Sequence, residues 1–149
     1  MPKRSKTSRG VFAEHSLSII VGAIWIVWLV LYLRVDERTH IGAFFGNSIA
    51  DWLGTLAFIV STKYFSEVGS TESRAPRRRR HSPLLGFFSQ HSLTLFIIAT
   101  GIVWAVVYAR SDAESKAGQV LGNIVSEWGQ LLALIIMTKY FREVGSKES

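Results

Sequence analysis

The chain has 149 residues, is 48% hydrophobic and carries a formal net charge of +6, with no cysteine. Only 19% of its residues are charged, and they gather in short blocks between long apolar runs, which excludes the evenly charged surface of a soluble domain and points to a small multi-span membrane protein. The absence of cysteine removes disulfides, thiolate metal sites and cysteine nucleophiles.

Residues 1–9 form a basic tail with Lys3, Arg4, Lys6 and Arg9. The apolar stretch that follows is too long for a signal-peptide core and lacks a small-residue cleavage site, so it is expected to stay as the first span. Residues 11–16 read as an approach segment at the interface, and Leu17 to Leu33 carries no charge before Arg34. At 1.5 Å per residue that run covers about 26 Å, enough to cross with its interfacial ends included. After a short polar loop, the second span is expected over residues 41–65, with Asp51 its only charge before Lys63. A basic linker follows, containing Arg77, Arg78, Arg79 and Arg80 between Pro76 and Pro83.

The plan then repeats. Residues 10–73 align with 86–149 at a constant offset of 76 without a gap, and 30 of the 64 pairs are identical. Spans three and four are therefore expected over residues 93–109 and 117–141. The domain reading is a tail (1–9), a two-span repeat (10–73), a linker (74–85) and a second two-span repeat (86–149). Near the span ends, thirteen Lys and Arg lie on the side of the termini and linker, against Arg34, Arg38, Arg110 and Lys116 in the two loops. The positive-inside rule then places both termini and the linker in the cytoplasm. The expected fold is all-α: a four-helix bundle of two tandem hairpins, related by a pseudo-two-fold axis along the membrane normal.

Several residues stand out against this background. Gly42, Gly46, Ala50 and Gly54 recur every fourth position in the second span, and Gly118 and Gly122 repeat the start of that stripe. Small residues let helices approach closely where lipid gives no hydrophobic drive, so the stripe reads as a packing face within a hairpin or between two copies. Asp51 and Glu127 each lie near the middle of an apolar span, where a charge costs about 2.5–3.5 kcal/mol on insertion scales. Each acid should therefore face the protein interior and have a partner. Asn47 and Asn123 lie four residues earlier on the same helical face, and Trp28 lies at a matching depth with an indole N–H to offer. Two equivalent helices would bring the acids together, giving either a proton or cation site or a polar contact that holds helices together.

Arg34 and Arg110 read as outer-interface anchors beside Asp36 and Asp112, and the Tyr-Phe and Lys residues at the span ends as an interfacial belt. His15 and His91 are isolated in sequence and read as interfacial histidines. The run Arg77–Arg80 beside spans fits topology and anionic lipid headgroups better than nucleic acid. No nucleophile with its base, phosphate loop or metal-ligand cluster is visible, so neither an enzyme nor a cofactor is expected.

His-Ser-Leu at the start of a span, an acid inside its partner span and Gly-Ser-x-Glu-Ser at the exit occur in both repeats, over His15–Ser73 and His91–Ser149. In this the chain resembles a bacterial family of tandem-repeat, four-span membrane proteins grouped under a domain of unknown function. It departs from the family in its loops of about six residues and in having Ala50-Asp51 where Ser126-Glu127 keeps the family's Ser-Glu pair. The resemblance implies a multi-pass protein of the bacterial inner membrane and brings no activity with it. Two functions fit: a structural or accessory protein associating with itself or a membrane complex, or a proton or cation conductor using Asp51 and Glu127. The apolar inner halves of the even spans, LAFIVS and LALIIM, favour the first.

Overall fold

The computed structural model describes residues 11–68 and 83–141. Five helices follow in order: α1 (Val11–Leu33), α2 (His40–Tyr64), α3 (Pro83–Gln90), α4 (Ser92–Ala109) and α5 (Lys116–Tyr140). All but α3 are long and apolar enough to cross a membrane, as a multi-pass membrane protein requires. Their boundaries fall within about a residue of the charge-free runs, except at the start of α1. There VFAEHS contains no helix breaker and continues the helix instead of forming a separate approach segment. The basic tail, Arg77–Arg80 and the Gly69 and Gly145 exits lie outside the described residues.

The two short loops are built alike. In the first, Asp36 Oδ1 accepts from the amide of Arg38 and Thr39 caps α2 by accepting from the amide of Gly42 at 3.0 Å. In the second, Asp112 accepts from Glu114, and Ser115 caps α5 through the amide of Gly118, again at 3.0 Å. Each turn folds so tightly that the carbonyl oxygen of Asp36 or Asp112 occupies the place a Cβ would take at Gly42 or Gly118. Glycine is required there by space alone.

Backbones approach most closely between α1 and α2, α2 and α5, and α4 and α5, while α4 also touches α2. The four long helices thus stand in an open row with α2 and α5 at its centre, and Tyr32 at the end of α1 reaches α5. The best-buried cluster joins the three helices α2, α4 and α5: Ala50, Leu93, Ile97, Ile124, Trp128 and Ile135. Elsewhere the outer helices show apolar side chains, such as Ile26, Val27, Ile102 and Val103, as helices facing lipid do.

The stretch before α4 differs from its counterpart in α1. Here the chain forms α3, with Pro83 at its first turn where a missing amide costs nothing, and then breaks at His91. The break has a local cause. The segment leaving α2 runs beside it, so that Val68 N donates to Gln90 O at 2.9 Å and Leu93 N donates to Ser66 O at 3.1 Å. Phe65 stacks on Phe96 of α4, with ring centroids 4.5 Å apart. The segment that follows α2 is therefore docked against α4.

Candidate functional site

Asp51 is the twelfth of 25 residues in α2, and Glu127 the twelfth of 25 in α5, so both acids sit half-way along their helices. The two helices lie side by side, and the carboxyl groups come within hydrogen-bonding reach of each other. Glu127 Oε1 also accepts from Gln130 Nε2 at 3.3 Å. Gly54 gives the Glu127 side chain its room, since a Cβ there would lie 3.4 Å from both Cβ and Oε2 of Glu127.

One turn towards the loops, Asn123 Nδ2 donates to Asn47 Oδ1 at 2.5 Å. This amide pair separates two cavities that share both asparagines. One, of about 230 Å³, continues to Asp51, Ser126 and Glu127. The other, of about 450 Å³, opens towards the loop end between Tyr32, Tyr108 and Gln119. In the opposite direction the seam is closed by apolar side chains, with Ala57 and Phe58 of α2 packed against the cluster that includes Ile135. A polar cleft therefore runs from the loop end to the middle of the helices and stops there.

The glycine stripe serves three different neighbours. Gly42 meets the loop backbone, Gly46 the ring of Tyr32, which would lie 3.2 Å from a Cβ there, and Gly54 the Glu127 side chain. Gly118 meets its own loop, and Gly122 the ring of Tyr108, again 3.2 Å from where a Cβ would be. Trp28, read from its depth as a donor to Asp51, points elsewhere. Its ring packs against Phe44 and Phe45, and its buried Nε1 has no hydrogen-bond partner among the described residues. The indole that hydrogen-bonds across the α1–α2 contact is Trp25, whose Nε1 donates to the carbonyl of Ile49 at 3.2 Å. A 1.5 Å rise fixes depth, while the direction in which a side chain points depends on rotation about the helix axis.

The loop end is tied across the row. Tyr32 donates its hydroxyl to the carbonyl of Lys116 at 2.9 Å, and Lys116 Nζ returns a bond to the carbonyl of Val35 at 2.6 Å. The ammonium also stands over the Tyr32 ring, 4.7 Å from its centroid. Tyr108, the residue 76 positions on, is 36% exposed against 4% for Tyr32, so only one of the two tyrosines is locked in this way.

At the other end lies a cluster that local sequence reading did not reveal. Glu67, in the docked segment after α2, is 1% exposed. Its Oε1 contacts His91 Nδ1 at 2.7 Å and accepts from Lys139 Nζ, and its Oε2 accepts from the amide of Thr94 at 3.0 Å. His91, at the N-cap position of α4, makes no capping bond with its side chain. The carboxylate of Glu67 supplies that cap from 27 residues away. Burial alone would raise the pKa of this carboxyl. The bonds from His91, Lys139 and Thr94 outweigh burial and hold it below the ordinary glutamate value. Comparison with protein-family models, with characterised proteins and with solved structures returns no match. The functional reading rests on this geometry.

Proposed function

We propose that the protein is a small multi-pass membrane component of structural or accessory type, which associates through the polar face of α2 and α5 with a second copy or a larger membrane complex. The observation that carries this is the exposure of Asn47, Asp51, Thr55, Ser126 and Gln130 half-way along two central helices of a single chain. In lipid, such a face leaves polar groups without water, and covering it with another protein surface removes that cost. The same reading puts the two α-helical hairpins in one orientation about a pseudo-two-fold axis, with the termini cytoplasmic in a bacterial inner membrane. It also assigns the chain to the four-span family that its His-Ser-Leu and Gly-Ser-x-Glu-Ser motifs resemble.

Because the natural chain has no cysteine, the test is direct. Single Thr55→Cys and Ser126→Cys variants should form disulfide-linked dimers in native membranes, or crosslink to a partner through a thiol reagent. Ile102→Cys, on an apolar exposed face, should do neither. If all three behave alike, the polar face is not an association surface.

A second reading is favoured by one observation, the cleft that leads from the loop end to the Asp51–Glu127 pair. A conductor would use that cleft as a half-channel and the acids as its proton or cation site. Wild-type protein in liposomes should then pass protons or cations, and the double variant Asp51→Asn, Glu127→Gln should fold and lose the flux. Absence of wild-type flux above empty liposomes removes this reading and leaves the first.

A further inference from the structure

The end of the molecule that holds Glu67 carries the same pair of residues twice. His91 and Lys139 stand 76 positions after His15 and Lys63. In the later pair both side chains converge on one oxygen, Glu67 Oε1, which lies 2.7 Å from His91 Nδ1 and accepts from Lys139 Nζ. The earlier pair is also assembled, with Lys63 Nζ 3.0 Å from His15 Nδ1 across the α1–α2 contact. Among the described residues, however, no carboxylate lies within ion-pair distance of Lys63 or His15. Two groups whose counterparts in the same fold grip an anion here meet each other, with the Tyr64 ring 5.8 Å from the Lys63 ammonium.

We propose that His15 and Lys63 form a binding site for the phosphate of an anionic lipid at the membrane surface. The site lies in the last turn of α2, at the level where headgroups meet a spanning helix. Its chemistry follows from the occupied counterpart. Without an anion, the Lys63 ammonium donates to His15 Nδ1 acting as acceptor. With one, His15 takes the tautomer that carries hydrogen on Nδ1, and both nitrogens donate to the same oxygen, as His91 and Lys139 do to Glu67.

Native mass spectrometry of the detergent-solubilised protein, titrated with phosphatidylglycerol and with phosphatidylcholine, tests the proposal. Wild type should bind phosphatidylglycerol in preference, and Lys63→Gln should weaken that binding roughly fivefold, the worth of one charge near an anionic surface. His15→Gln, which removes a neutral donor, should weaken it by less. Arg110→Gln, at an exposed cation of the loop end, should leave it unchanged. Phosphatidylglycerol affinity unchanged in both Lys63→Gln and His15→Gln overturns the proposal.

Discussion

Removing the Glu67 carboxylate should loosen the whole end of the molecule opposite the loops. The side chain is almost fully buried, and it joins the segment after α2 to both α4 and α5. Glu67→Ala takes the acceptor from Lys139, from His91 and from the Thr94 amide at once. Breaking a buried pair by deleting one partner costs about 3–5 kcal/mol. The Lys139 and His91 side chains are 17% and 29% exposed, so both keep some water and the cost should fall at the lower end of that range. Glu67→Gln retains an oxygen for Thr94 but loses the charge, for about 1.5–3 kcal/mol, the worth of a hydrogen bond to a charged group. The pH dependence has a definite sign. A carboxyl held below 4.5 in the folded protein contributes its stability fully above that value. The contribution is lost as pH falls through the folded pKa, and Glu67→Gln should lack that acid-limb loss. Unfolding in mixed dodecylmaltoside and dodecyl sulfate micelles, followed by tryptophan fluorescence, measures both effects. Wild-type stability in Glu67→Ala to within about 0.5 kcal/mol would refute the role assigned to this carboxylate. So would an acid limb in Glu67→Gln identical to that of wild type.

The glycines should separate by what their Cβ would meet. Gly118→Ala places a methyl on the Asp112 carbonyl oxygen and should disrupt the second loop severely, whereas Gly122→Ala needs the Tyr108 ring to give by a few tenths of an ångström and should cost about 1–3 kcal/mol. Equal thermal shifts for the two variants would contradict this ordering. For topology, reporter fusions after residues 75 and 149 should read as cytoplasmic and an insertion at 36–40 as external. A periplasmic signal at residue 75 reverses the assignment.

The four spans were legible because charge is costly in lipid: Arg34, Lys63, Arg110 and Lys139 mark where each apolar run must end, and the helices stop within one or two residues of them. The depth of Asp51 and Glu127 was equally legible, since helical rise is constant. Their placement side by side required the α2–α5 contact, which no local pattern encodes. Trp28 shows the limit most clearly: its depth suggested a donor to Asp51, yet its rotation about the α1 axis turns the indole towards Phe44. Glu67 went unnoticed because its partners lie 24, 27 and 72 residues away. The available signal was an acid three residues after Tyr64 and again three residues after Tyr140, the second at Glu143.

The cap on α4 has a consequence for synthesis. The N-terminal half of the chain emerges first, and the segment after α2 carries the carboxylate that the Thr94 amide requires. In chain order Glu67 precedes α4 and Lys139 follows it, so the cluster can be complete only once α5 is made. A fragment beginning at Pro83 would contain two complete spans and still lack the group that finishes the first of them. The two halves, alike as sequences, are therefore not interchangeable as parts: the later one needs a side chain that the earlier one holds.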